Sequence, residues 1–261
     1  MTKNNFLKLG YDYDAWHGYG KRDALFTDIS LKTNSHMILC GMSGSGKSYA
    51  LVWCLKMLIL ASPPEAEYFF ADFKQDDSFA FLRGCTFYYP YKKSLEALEV
   101  VYTILHKRQS GEDKNRYTVT LIWDEYMANI LALQGEDKKK AADVMNKVSE
   151  ILMLGRSLGV RFICSCQRPD AKAFPDGSRL NYGIIMILGA PMRSIYEMLM
   201  PKEYIEMVEN RQFERGEGIL LLQGSDLPDC EGYGKNAGNL CQGIVVISLK
   251  AGKGGGEAAS P

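Results

Sequence analysis

His36-Met37-Ile38-Leu39-Cys40-Gly41-Met42-Ser43-Gly44-Ser45-Gly46-Lys47-Ser48 is the stretch from which the fold can be read. Met37–Cys40 is a short apolar run, the pattern of a strand buried on both faces. Gly41 to Ser48 fits G-x-x-x-x-G-K-S and opens a helical pattern from Lys47 to about Leu60. In that strand-to-helix setting the glycines at 41, 44 and 46 let the backbone curl, so that its N–H groups turn inward on a phosphate. The helix start adds partial positive charge. Gly41, Met42, Ser43, Gly44, Ser45, Gly46, Lys47, Ser48 and the following Tyr49 make up the candidate nucleotide cradle. Lys47 would reach the β and γ phosphates, and the Ser48 hydroxyl would ligate Mg²⁺.

Working outward, Val119–Trp123 is a continuous apolar strand that stops at Asp124-Glu125. An Asp at that place meets magnesium, and the adjacent Glu can polarise an attacking water. Asp124 joins Ser48 as a candidate metal residue and Glu125 is the candidate general base. Gln167 ends the next apolar strand, Phe162–Cys166; its amide either senses the γ-phosphate or only marks a strand end. Strands at 68–71 and 86–89 fit between the two motifs, which with Glu125 selects the additional-strand class of P-loop ATPases. A GTPase would need a guanine-reading N-K-x-D, which this sequence lacks.

Strand and helix patterns alternate along the rest. Helices are expected at 94–108 and 141–154, strands at 160–166, 184–188, 218–222 and 244–247, and a loop at 168–176. The expected fold is α/β and RecA-like: a mostly parallel central sheet flanked by helices. Residues 1–34 read as a lead-in packed on the RecA-like ATPase domain, 35–250 as that domain, 225–239 as turn-rich, and 251–261 as a disordered Gly/Ala tail. Trp16, His17 and Tyr19 fit aromatic packing in the lead-in, or a border for adenine. His17 and His106 lack partners at ligand spacing.

The 261 residues carry 31 Lys+Arg and 31 Asp+Glu, so a net positive charge is no argument for nucleic acid. Hydrophobic residues at 46% suffice for a full core. No run approaches the about 18 uncharged apolar residues of a spanning helix, so no direct membrane insertion is expected. Seven cysteines, an odd number without zinc-knuckle spacing, most of them in apolar runs, indicate a reducing, cytoplasmic compartment.

Beyond the phosphate loop, the sequence resembles the FtsK/SpoIIIE (HerA–FtsK) family of DNA-pumping motors. His36 to Gly41 is similar to that family's H-x-L-x-x-G entry. Asp72-Phe73-Lys74 stands where the family has D-P-K, with Phe for Pro. Tyr117 through Glu125 resembles its Walker B strand. Gly155-Arg156-Ser157-Leu158-Gly159-Val160 and Gln167-Arg168-Pro169 resemble the R-x-x-G-I-H-L-x-x-x-T-Q-R-P block, with Arg161 for His and Cys166 for Thr. Met192-Arg193-Ser194-Ile195 resembles D-S-R-T-I-L, and Gly216-Glu217-Gly218 resembles G-x-G-D-M-L. The likeness runs from about residue 20 to 250 and lacks the membrane-spanning, linker and winged-helix parts of the long translocases.

The resemblance implies a homohexameric ring that hydrolyses ATP with Mg²⁺ to move double-stranded DNA. A neighbour's arginine would stabilise the γ-phosphate, with Arg156 and Arg193 as candidates or, equally, ordinary surface arginines. Such a motor grips phosphates, so Lys138-Lys139-Lys140, Lys172 and Arg179 are candidate contacts, the triple Lys also fitting a solvated helix face. A stand-alone motor fits plasmid or conjugative transfer, or phage genome movement, with a recruiting protein of the mobile element. A secretion-type ATPase moving protein and a slow regulatory nucleotide-binding module are the other two readings.

Overall fold

The computed structural model describes residues 6–28, 35–208, 210–222 and 244–249. The expected turn-rich stretch 225–239, the tail 251–261, and Cys230 and Cys241 lie outside them.

His36–Gly41 is strand β3 here, because two strands precede it: β1 (Phe6–Asp12) and β2 (Ala24–Asp28), with helix α1 (Tyr13–Tyr19) between. After β3 come α2 (Lys47–Ala61), β4 (Glu67–Asp72), β5 (Tyr88–Pro90) and α3 (Ser94–Gln109). Then follow β6 (Val119–Asp124), α4 (Tyr126–Glu136), α5 (Lys138–Leu158) and β7 (Val160–Cys166). The chain continues through β8 (Tyr182–Leu188), α6 (Arg193–Leu199), α7 (Lys202–Val208), β9 (Glu217–Leu222) and β10 (Ile244–Ser248).

The strands form one ten-stranded sheet in the order β2-β1-β10-β9-β8-β3-β7-β6-β4-β5. From β8 to β5 neighbouring strands run parallel; β9, β10, β1 and β2 add on antiparallel. Strand β3 explains the two-sided core. Met37 and Leu39 point to the face that α2 covers, with Leu51, Cys54 and Leu58. Ile38 and Cys40 point to the opposite face, among Leu98 of α3, Ile130 of α4 and Ile151 of α5. Between them, β8 and β7 flank β3 on its two sides. That is a topological switch point, where α/β sheets open a crevice beyond the carboxyl ends of the strands.

Three readings change in detail. The lead-in supplies two strands, with Leu7 and Leu9 buried in the α2-side core. The strand expected at 86–89 is the three-residue β5. The helix expected at 141–154 begins at Lys138, because Asp137 accepts from the Lys139 and Lys140 amides at 2.9 and 3.0 Å and caps it.

Candidate functional site

The turn between β3 and α2 is built by contacts that leave no room for side chains. A Cβ at Gly41 would stand 2.5 Å from Ser45 Oγ and 2.6 Å from the Leu188 carbonyl. Gly46 has φ +104, and a Cβ there would meet Gly216 N at 3.0 Å. The Gly216 amide in turn donates to the Ser45 carbonyl at 2.9 Å, so the segment before β9 braces the turn from outside. Gly46 caps α2 without a side chain, which leaves the first N–H groups of the helix available.

Lys47 is buried and folds back: its Nζ donates to the carbonyls of Gly41 (2.9 Å) and Met42 (3.3 Å). Ser45 Oγ is buried with no hydrogen-bond partner among the described residues. A curled backbone, a retracted ammonium and a spare hydroxyl suit a phosphate tail. Ser48 is half-buried beside them and Tyr49 is exposed.

Strands β6 and β7 bring the acidic half to the same edge. Ser165, on β7, donates to Asp124 Oδ1 at 2.6 Å and accepts the Glu125 amide at 2.9 Å. Burial pushes the Asp124 carboxyl up to about 6, and neighbouring Glu125, Asp72 and Asp76 add to the rise against the Ser165 bond. A carboxylate in that condition is suited to a cation. No cluster of three or more metal-ligating side chains occurs among the described residues. Mg²⁺ needs none, since it keeps waters and takes one or two protein groups plus substrate phosphates. Ser48 and Asp124 fit that role.

Glu125 adopts a left-handed backbone (φ 51°, ψ 44°) as it starts α4, a conformation costing a non-glycine residue roughly 1–3 kcal/mol. The turn aims its carboxylate at Lys47. Glu125 Oε1 lies 3.6 Å from Lys47 Nζ and 3.2 Å from Lys74 Nζ, and accepts Gln167 Nε2 at 3.3 Å. Lys47, the neighbours Asp124 and Glu125, and Gln167, from three separate stretches of sequence, thus meet in one place.

An FtsK domain-containing protein of Bacillus subtilis (strain 168), YdcQ, is 23% identical over 197 residues, 69% of this chain. The chain spans 40% of that protein's length. The cytoplasmic domain of the type VII secretion ATPase EccC from Thermomonospora curvata matches 95% of this chain and 29% of its own, with TM-score 0.65 and 18% identity. The monomer form of the pCW3 conjugation coupling protein TcpA, with ATPgS, matches 95% of this chain and 66% of its own, with TM-score 0.66 and 17% identity. The chain has the fold of the FtsK-type P-loop ATPases. A genome packaging NTPase from Sulfolobus turreted icosahedral virus 2 shares this FtsK-type fold more distantly, with TM-score 0.51 and 14% identity over 84% of this chain and 99% of its own. No protein-family model matches.

On that fold the two candidate arginines fall apart. Arg156 is exposed in the last turn of α5, close enough to His36 to depress its pKa, and so sits at the edge opposite Lys47. Arg193 opens α6 beyond β8 and pairs with Glu197 at 3.1 Å. Lys172 is exposed on the loop after β7, whereas Arg179 donates to the Pro169 carbonyl at 2.9 Å and ties that loop together. Lys138, Lys139 and Lys140 form the exposed first turn of α5.

Most lead-in aromatics pack against one another and the segment before β9, but Tyr19, expected to join them, is 78% exposed at the end of α1. Trp16 meets Tyr11 edge-on, with Arg22 over its ring, and Tyr13 lies between His17 and Phe213. Tertiary contacts give both histidines acidic partners that spacing did not show: His17 Nε2 is 3.0 Å from Glu217 Oε1, and His106 Nε2 is 3.4 Å from Glu150 Oε1. Ser165 and the role of the Asp72–Lys74 loop were not read from sequence. Ser165 had one signal, a lone hydroxyl between Cys164 and Cys166 in a buried strand.

Proposed function

We propose that this chain is an ATP-hydrolysing motor that moves double-stranded DNA, with the convergence of Lys47, Asp124, Glu125 and Gln167 as the observation that carries the reading. Lys47 leaves the Gly41 and Met42 carbonyls for phosphate oxygens. Glu125 takes a proton from the attacking water, and Gln167 holds that water beside it. Ser48 and Asp124 would hold Mg²⁺, which would supply neutralisation of the phosphate charge. The unpartnered Ser45 hydroxyl and open helix start receive the rest of the tail.

Arg156 cannot serve its own centre from the far edge, so a catalytic role for it requires a neighbouring copy, as in a homohexameric ring. DNA as cargo is supported by the likeness to a conjugation coupling protein and to a genome packaging NTPase. Exposed Lys172, on the loop that leaves the catalytic edge, would meet the phosphate backbone. Conjugative or phage genome movement, with a recruiting protein of the element, follows from the same likenesses. Among the described residues no helix is long and apolar enough to cross a membrane. The five described cysteines are free thiols, which supports the cytoplasm.

The likeness to EccC favours a second reading, a motor for protein substrates. Hydrolysis measured with no polymer, duplex DNA, single-stranded DNA and RNA at two salt concentrations separates the two. Duplex should raise the rate, and added salt should abolish the rise. Stimulation only by a protein partner would transfer the cargo to the second reading. A rate of zero in every condition would remove the motor itself.

A further inference from the structure

We infer that Lys74 is a positioning residue for Glu125, set by a loop built for that purpose; the inference rests on the ATPase reading above. Glu125 Oε1 has two cations on it, Lys74 Nζ at 3.2 Å and Lys47 Nζ at 3.6 Å. They are not equivalent. Lys47 belongs to the phosphate cradle and is buried, so a phosphate tail draws it away from Glu125. Lys74 is 42% exposed and lies on the loop after β4, outside the cradle. Once Lys47 is engaged, Lys74 is the remaining ammonium, among the ion pairs described, that fixes where the base points.

The loop bearing Lys74 is held on both sides of that residue. Asp72, fully buried at the end of β4, stands in register with Asp124 on β6. Its Oδ2 accepts the Tyr88 hydroxyl at 2.6 Å and its Oδ1 accepts the Asp76 amide at 3.3 Å, closing residues 73–76 into a turn. Gln75 is left-handed at φ 56°. Asp76 continues the tie by accepting the Ser78 amide at 2.8 Å. Phe73 stacks on Tyr91, with centroids 5.7 Å apart and planes 23° apart. An aromatic pair thus braces this turn from one side. The loop does not bury Lys74; it aims it. A surface lysine placed by so many contacts against the base, rather than left to solvent, is the juxtaposition that assigns the role.

The test compares steady-state hydrolysis by the full chain with the Kd for a fluorescent ATP analogue. Lys74→Ala should lower kcat about tenfold or more while the Kd stays within about twofold, since a misaimed base costs rate and not binding. Lys74→Arg should recover most of the rate by returning the charge. Phe73→Ala should lower kcat by about threefold at constant Kd, with its melting temperature as the check on folding. Lys74→Ala at the wild-type kcat overturns the inference. A Kd weakened in step with kcat also overturns it, by making Lys74 a phosphate ligand, and so does an Arg variant as slow as the Ala variant. Phe73→Ala at full rate removes the aromatic pair from the device. A wild-type chain that hydrolyses nothing would be a failure of the ATPase reading and is told apart before any variant is made.

Discussion

Both ends of the central strands carry buried polar side chains, and they use them in opposite ways. At the carboxyl end, Glu125 Oε1 is shared by Lys47, Lys74 and Gln167 at 3.2–3.6 Å, and Lys47 is divided between two carbonyls and that carboxylate. These groups can exchange partners without leaving any of them stranded. At the amino end the partners are mostly backbone atoms fixed by the strands and helix ends that carry them. Phe162 N donates to His36 Nδ1 at 3.0 Å, and Arg161 Nε donates to the Ser35 carbonyl at 3.2 Å. Arg108, 1% exposed, spreads one nitrogen over the carbonyls of Tyr117, Leu158 and Gly159 at 3.0, 2.9 and 3.3 Å. One end is a switchboard and the other a weld, and a motor needs both.

The largest effect that would test this contrast is at the weld. Arg108→Ala leaves the Tyr117 and Leu158 carbonyls without that donor, while Gly159 keeps the Val119 amide at 2.9 Å, and should cost about 2–4 kcal/mol of unfolding free energy, measured by urea denaturation. At the switchboard, Glu125→Gln should slow hydrolysis about 10²–10⁴-fold yet leave urea stability within about 1 kcal/mol and preserve analogue binding. Equal stability losses in the two variants would erase the distinction. Gly155→Ala comes next. Its Cβ would lie 2.4 Å from the Val160 carbonyl and 3.0 Å from His36 Cε1, so a loss of about 1–3 kcal/mol is expected in the same assay.

The last effect is graded, at most about 1.4 kcal/mol for each pH unit. Burial, with Arg161 and Arg156 nearby, pushes His36 down to about 3 from its usual 6.5. The folded chain keeps the ring neutral, while the unfolded chain protonates it below about pH 6.5. Its contribution is therefore complete above that pH and is lost as pH falls toward 3, at up to about 1.4 kcal/mol per pH unit. His36→Asn should flatten that part of the stability curve measured between pH 7 and 4; an unchanged slope would place the acid sensitivity elsewhere.

The sequence made the switchboard far more legible than the weld. Gly41 to Ser48 is a local pattern whose spacing is its chemistry, and Asp124-Glu125 announces itself at the end of an apolar run. Ser165 and Lys74 reach Glu125 only through the β6–β7 and β4–β6 registers, which no local pattern encodes. Arg108 looked like one more charge at the end of a helix, because its carbonyl partners lie up to 51 residues away. Helix α4 was missed although Tyr126, Ile130 and Leu133 have helical spacing, since it follows β6 with no turn signal between them. Strand β1 was missed because Lys8 and Gly10 break up its apolar run, and β2 because it is only five residues long, at the edge of the sheet.

Strand β1 hydrogen-bonds to β2 on one side and to β10 on the other, with Tyr11 opposite Ser248 and Asp12 opposite Ile247. Anyone trimming the chain to its recognisable engine would therefore uncover a row of unsatisfied amides and carbonyls on β10 and lose Leu7 and Leu9 from beneath α2. The shortened protein would recruit other copies of itself along that raw border and leave solution as aggregate.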